Sequence, residues 1–311
     1  MKNSIWYLGI DGGGTKTEAV LGADLKHLYW AKAGPSNPHA VGVKTAVKNL
    51  EAVVESLKKS AGFYGKCKAV IGLAGLDSLQ DFKLIKGAIS KSLKKFFQPD
   101  WQLNNDIQIA LASGTMEKFA AVIIAGTGSN AYAKGPLGVA KAGGRGHLLA
   151  DEGSGHYQGL MALHSITKAN DGRGPKTLLT SLILKHFKIK SPDQLLKIVY
   201  QSGFGKPQIA SLAPLVQIAA EKGDNVAKTI LAEAAKELAL MAIAVIKKSG
   251  LNRKKFNLVC VGGIFKCPVV LPNIFKTSVK AIAPGVKFIL PEKRPVYGAW
   301  FLASKLKQRA G

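Results

Sequence analysis

The sequence predicts an α/β protein built from two related domains, and three observations carry that reading. A strand, glycine turn, strand unit occurs twice, around Gly12–Gly14 and again around Gly126–Gly128. Short apolar strands bounded by Gly and Pro alternate with helix-patterned segments in the first third of the chain. A length of 311 residues, 47% of them apolar and only 20% charged, supports about two buried cores. The repeated turn is the nearest thing to an internal repeat, so each domain is expected to present a glycine hairpin of its own.

Taken in order, residues 5–10 (IWYLGI) read as an apolar strand and 17–23 (TEAVLGA) as a second, with the glycine turn between them. A strand feeding a hairpin is the opposite of a Rossmann start, where a helix follows the glycines. After the loop AGPSNPHAVG, apolar spacing predicts a helix over 43–61, a strand over 68–74, a helix over 79–97 and a strand over 101–104 that ends in Asn104–Asn105–Asp106. The first domain is expected to cover 1–113. FAAVIIAGTGSNAYAKG then opens the second domain, 114–294, with another hairpin. From Ser154 the pattern is mainly helical, over 154–169, 175–187, 191–201, 206–222 and 224–249, before a strand at 257–261. A terminal helix over 296–308 is expected to pack back on the first domain, within a segment 295–311. No low-complexity linker separates the halves, which places the expected ligand cleft between the two domains.

Composition excludes several classes. The opening residues, MKNSIWYLGIDGGG, run directly into the glycine loop with no signal-peptide cleavage pattern, and no apolar run approaches the ~20 residues needed to span a bilayer. A soluble, cytoplasmic protein is the expectation. Cys67, Cys260 and Cys267 match neither a zinc site nor a disulfide framework and read as reduced, packed thiols. The net charge of +25 raises a nucleic-acid partner. The lysines are dispersed, though, in segments such as SKSLKKFF and KKSGLNRKKF near expected helix ends, where cations oppose the helix dipole and stay solvated. With no aromatic-interleaved basic stripe, specific nucleic-acid binding is not expected.

Four segments can carry chemistry. In Asp11-Gly12-Gly13-Gly14-Thr15-Lys16-Thr17, glycines allow backbone N–H groups to approach phosphate oxygens, a hydroxyl adds a donor, and Asp11 at the strand end can hold hydrated magnesium. The bland alternative is an ordinary hairpin turn. Gly126-Thr127-Gly128-Ser129-Asn130 repeats the device, and Val261-Gly262-Gly263-Ile264 offers bare backbone to an adenine or ribose. Asp106 stands where a kinase needs a carboxylate to take the proton of an acceptor hydroxyl, against the alternative of a helix N-cap. In Gly143-Gly144-Arg145-Gly146-His147-Leu148-Leu149-Ala150-Asp151-Glu152-Gly153-Ser154, a glycine loop precedes two adjacent carboxylates. A carboxylate there can accept from vicinal sugar hydroxyls, and Asp151 is read as such a ligand, with His147 as a structural residue.

In chain order, GIDGGGTKTEAVL, SNPH, GLAGLDS, NND, AGTGSN, GGRGHLLADEGSG, DGRGP and VCVGGIF resemble the N-acetylglucosamine kinase branch of the BadF/BadG/BcrA/BcrD ATPase family, in the superfamily of sugar kinases, actin and heat-shock ATPases. The resemblance spans nearly the whole chain. It implies two ribonuclease-H-like (actin-like ATPase) domains with ATP and sugar in the interdomain cleft, and a homodimer. It makes Gly13, Gly14, Thr15 and Lys16 the first phosphate loop with Asp11 near magnesium, Asp106 the base for the sugar 6-hydroxyl, and Thr127, Gly128 and Ser129 the second loop. Asn37, Gly144, Arg145, Gly146 and Asp151 are implied to line the sugar, and Ala210, Gly262 and Gly263 the nucleotide. Relatives carry tryptophan where this chain has Arg145, which leaves N-acetylglucosamine, glucosamine and N-acetylmuramic acid open as acceptors. More distant readings are a dehydratase-activating ATPase, whose iron–sulfur cluster needs closely placed thiolates that the three cysteines do not offer, and a binding protein without turnover.

Overall fold

The computed structural model describes residues 5–76, 78–267 and 271–306. The chain divides into two compact units, Met1–Met116 with Pro291–Gly311, and Glu117–Leu290. The first contains β1 (Tyr7–Gly12), β2 (Thr17–Gly22), β3 (Tyr29–Ala33), α1 (Pro38–Ala61), β4 (Lys68–Leu73), α2 (Leu79–Leu93), β5 (Gln102–Asn105), α3 (Asp106–Gly114) and the terminal α11 (Pro295–Ser304). Its sheet runs β3-β2-β1-β4-β5, an antiparallel meander continued by two parallel strands.

Strand alternation decides what each face meets. Leu8 and Ile10 of β1 join Leu50, Val53 and Leu57 of α1 and Ile85 and Ile89 of α2 in one core, and full burial of each such side chain is worth roughly 1.5–3 kcal/mol. Tyr7, Gly9 and Asp11 take the other face. There Tyr7 meets Trp300 of α11 edge-on, and a Cβ at Gly9 would overlap the backbone of Val296 and Trp300. Gly72 of β4 lies so close to the Ile109 side chain of α3 that a Cβ has no room, and Gly298 of α11 is equally tight against the Ile109 carbonyl. These glycines let α3 and α11 nest on the sheet and on each other. Asn37 caps α1 by accepting from the His39 amide, Pro38 fits the first turn, and Gly62 ends the helix in the left-handed region (φ 60°). Gly42 (φ 76°) breaks the first turns from the rest, which is why the expected helix began only at 43.

The second unit contains β6 (Ala120–Ala125), β7 (Ser129–Gly135), β8 (Gly138–Gly143), α4 (Gly155–Asn170), α5 (Leu178–Phe187), α6 (Gln194–Val199), α7 (Lys206–Ala210), α8 (Ala213–Glu221), α9 (Asn225–Ser249), β9 (Phe256–Val261), a 3₁₀ turn (Gly263–Lys266), α10 (Leu271–Ile282) and β10 (Val286–Ile289). Its sheet, β10-β9-β6-β7-β8, repeats the order and strand senses of the first. Small residues on the sheet (Ala121, Ala125, Ala131, Ala133) pack against Leu238, Ala242, Val245 and Ile246 of α9, with Phe275 and Val279 of α10 behind them. A separate core of Ile166, Leu179, Ile183, Leu212, Val216 and Leu231 holds the helical part. The expected helix over 206–222 is two helices, with Pro214 in the first turn of α8. β3, β8, β10 and α10 are elements the sequence patterns did not reveal. Residues 307–308 of the expected terminal helix lie outside the described residues.

The tight glycines make a stability prediction. Gly72→Val must push Ile109 and α3 off the sheet, at a cost of about 1–3 kcal/mol, whereas a Cβ at Gly87 on α2 meets nothing within 4 Å. Gly87→Ala should therefore stabilise by up to ~1 kcal/mol. Thermal unfolding of both variants checks this, and equal midpoints for the two would contradict it.

Candidate active site

In the first unit β1 delivers Asp11 and Gly12 to the carboxyl edge of the sheet, where the chain turns through Gly13–Lys16. The inner side of that turn is pinned. The Gly13 amide donates to Lys16 O (2.9 Å), Gly13 O accepts from the amides of Ser36 (3.0 Å) and Asn37 (3.1 Å), and Gly12 O accepts from Ala74 N (2.9 Å). Buried Thr17 donates to Gly34 O (2.6 Å) and meets the Ser36 hydroxyl. The outer side is open: Gly14, Thr15 and Lys16 are exposed, and a Cβ at Gly14 would touch nothing within 4 Å. Packing therefore does not require glycine at 14, and the turn is exposed there and at Thr15.

Asp106 is the first residue of α3, but it is not the cap. Asn105 caps the helix, accepting from Ile107 N (3.1 Å), while Gln108 Oε1 accepts from Asn105 N (3.3 Å). The Asp106 carboxylate has an electrostatic role instead, acting on Asp11. Burial first, then the charges of Asp106 and Glu18, push the Asp11 carboxyl up to about 7, against a smaller opposing pull from Lys16. Glu18, on the neighbouring strand in register with Asp11, shows the reverse balance. Burial raises it, but contacts from Lys16 (3.1 Å), Arg294 (2.7 Å) and Lys32 (3.5 Å) outweigh burial and hold it below its ordinary value. Asp11 lacks that surplus of cations. A hard-oxygen donor set with excess negative charge beside an open phosphate-type loop is chemistry that suits a hydrated divalent cation.

Asn37 joins this set through the backbone. Its amide is tied to Gly13 O, its Oδ1 lies where a Cβ on Gly75 (φ 80°) would fall, and Leu76 O next in line accepts from Asn105 Nδ2 (3.3 Å). Asp11, Gly13–Lys16, Asn37 and Asp106 are thus gathered at one edge of the first unit.

In the second unit the β6–β7 turn is organised by Asp151. Its Oδ1 accepts from Ser129 N (3.0 Å), its Oδ2 pairs with Lys206 Nζ at 2.5 Å, and the Ser129 hydroxyl donates to Glu152 O (2.7 Å). Asp151 is 3% exposed and adopts a left-handed backbone (φ 72°), so it is a buried strut of the loop as well as the sugar-ligand candidate. The Gly126 amide is used by Gly128 O and the Ser129 amide by Asp151, which leaves Thr127 and Gly128 as the turn's remaining amide donors. Around it, Gly155 N donates to Gly126 O (2.8 Å), Ala210 O lies 3.4 Å from a Cβ built on Gly155, and Gly144 N donates to Ser129 O (2.9 Å). Gly144 and Gly146 are left-handed and flank an exposed Arg145. The two glycines after β9 have different roles. Gly262 (φ 128°) abuts the Ala125 carbonyl, while Gly263 faces open space. Thr127–Ser129, Asp151, Ala210, Gly144–Gly146 and Gly262–Gly263 therefore share one end of this unit's sheet.

His147 is exposed rather than packed and meets the ring of buried His156 at 5.1 Å. Burial, then His147 and Lys206, hold His156 below its usual range. The cysteines sit in three separate cores, and burial pushes Cys67 and Cys260 up to about 12, as suits packing thiols. Lys206 and His156 are site-proximal residues that no motif marked, and Lys206 is defined by Asp151, a partner remote in sequence.

Residues 8–303 match the model of the BadF/BadG/BcrA/BcrD ATPase family. An N-acetylmuramic acid/N-acetylglucosamine kinase of Clostridium acetobutylicum is 37% identical, with 96% of this chain and 98% of that protein covered. An N-acetyl-D-glucosamine kinase of Dictyostelium discoideum is 32% identical, with 97% and 98% covered. A solved structure from Chromobacterium violaceum, provisionally named as an N-acetylglucosamine kinase, matches with a TM-score of 0.73 at 23% identity over 97% of this chain and all of its own. That likeness identifies the fold as the two-domain actin-like ATPase architecture.

The raised Asp11 acid predicts a pH-dependent stability. A carboxyl whose folded-state value lies above its ordinary one favours folding while protonated, and that contribution is lost as pH rises through about 7. Asp11→Asn should match the wild type near pH 4 and exceed it at pH 8 by about 1–3 kcal/mol, after allowance for solvent screening. Thermal unfolding without divalent cations at the two pH values checks it, and a constant difference would refute the assignment.

Proposed function

The chain belongs to the BadF/BadG/BcrA/BcrD ATPase family, and from that premise we propose that it is an ATP- and magnesium-dependent amino-sugar kinase acting on the 6-hydroxyl of N-acetylglucosamine. The observation that carries this reading is the pair Asp11 and Asp106, electrostatically coupled beside the open face of the Gly13–Lys16 turn. Asp106 accepts the proton of the 6-hydroxyl as that oxygen bonds to the γ-phosphorus, and the bond to the bridging oxygen breaks to release ADP. Gly14, Thr15, Thr127 and Gly128 are the amides proposed to donate to phosphate oxygens that gain charge in the transition state. Asp11 would hold magnesium, which supplies neutralisation of the phosphate charge when bound. Ala210 and Gly263 accommodate the nucleoside against bare backbone, with Gly262 holding that turn in place.

On the sugar side, Asn37, Gly144–Gly146 and Asp151 take hydroxyls, Asp151 through lone pairs left by Ser129 and Lys206. Arg145 supports a second acceptor. It is exposed between two left-handed glycines, and a guanidinium there suits the carboxylate of N-acetylmuramic acid, one of the two sugars named for the Clostridium relative. The protein is expected to work in the cytoplasm as a homodimer; no described helix is long and apolar enough to cross a membrane.

ADP release should be measured with ATP and magnesium on N-acetylglucosamine, N-acetylmuramic acid, glucosamine, N-acetylmannosamine and glucose. Turnover on at least one amino sugar, far above glucose, is expected, and silence on all would remove the kinase reading. Asp106→Asn should lower kcat by about 10²–10⁴-fold, and an unchanged rate would take the proton elsewhere. Arg145→Trp should lower kcat/KM for N-acetylmuramic acid by roughly tenfold and spare N-acetylglucosamine; equal loss on both would deny Arg145 the discriminating role.

A further inference from the structure

Lys206 is a charged side chain placed at the second glycine turn by three separate features. Its ammonium lies 2.5 Å from Asp151 Oδ2, and a Cβ on Gly128 would come within 2.5 Å of Asp151 Oδ1 and 2.9 Å of the ammonium, so glycine at 128 leaves the pair in place. Asp151 is itself fixed, its other oxygen taking the Ser129 amide at 3.0 Å from a left-handed backbone that a non-glycine residue seldom adopts. Stability alone does not explain this arrangement, since a buried ion pair is often replaceable by packed apolar groups at no loss. Nor is the lysine sealed in: 28% of its side chain remains exposed against 3% for Asp151. An ammonium carries three donors, more than its ion pair with Asp151 can engage.

We propose that Lys206 is a phosphate-binding residue of the second turn, its ammonium oriented by Asp151 so that its remaining donors take oxygens of the ATP triphosphate beside Thr127 and Gly128. The inference rests on the kinase reading and adds to it. Asp151 then acts as a positioning residue for the cation, and Gly128 serves both as a donor and as the space in which that cation sits. A compact ammonium suits such a point contact better than a guanidinium fork.

The test compares binding of AMPPNP and of adenosine by calorimetry, with magnesium, to the wild type, Lys206→Met and Lys206→Arg. Lys206→Met should weaken AMPPNP by about 10–100-fold, the range for a charge-assisted contact, and leave adenosine within about twofold. Lys206→Arg should recover part of the loss. If Lys206→Met lowers the unfolding midpoint but leaves the ratio of the two affinities unchanged, the lysine is only the counter-ion of Asp151 and the proposal falls by itself. A wild type that binds AMPPNP no better than adenosine and phosphorylates no sugar would overturn the kinase reading along with it.

Discussion

Two carboxylates held near each other at one sheet edge are the constraint around which the first unit is arranged. Asp11 ends β1 and Asp106 begins α3; their mutual repulsion, added to burial, holds the Asp11 proton up to about 7. Folding tolerates that cost because the surrounding geometry leaves little alternative. Gly72 admits Ile109, Gly298 admits the Ile109 carbonyl, and Gly9 admits Trp300, so α3 is clamped between the sheet and α11. Asn105 supplies the cap, which keeps the Asp106 carboxylate out of that role. Glu18, one strand away and surrounded by Lys16, Lys32 and Arg294, shows that the same neighbourhood can neutralise a buried carboxylate where neutralisation is the purpose.

The second unit repeats the sheet order but assigns its charges differently. Its turn is held by a buried carboxylate already balanced by an ammonium. The first unit's turn thus lies beside an excess of negative charge, whereas the carboxylate at the second unit's turn is already balanced. Two glycine turns of similar composition, on sheets of the same order, are thus held in different ways.

Much of this was legible in the chain itself. The two hairpins and the long helices followed from glycine placement and apolar periodicity, while Asn37 and Ala210 were candidates only through the family resemblance. What escaped has physical reasons. β3 (YWAKA) and β8 (GVAKAG) are edge strands, half-exposed and interrupted by lysine or glycine, so alternation is weak. β10 is only four residues long. The cap alternative for Asp106 arises because the capping residue, Asn105, is its neighbour and equally suited to that position. Lys206 left no signal, because a buried pair is written in two distant segments and only the fold joins them. The roles of Gly262 and Gly263 are indistinguishable by letter and differ only in what lies beyond each Cα.

The most direct measurement of the carboxylate pair is a carbon NMR titration of the Asp11 side chain, with and without magnesium. The account predicts a carboxyl that titrates near 7 without divalent cations and moves well below that when magnesium is added. An Asp11 that titrates at the ordinary ~4 in both conditions would contradict the coupling with Asp106 and, with it, the placement of the metal.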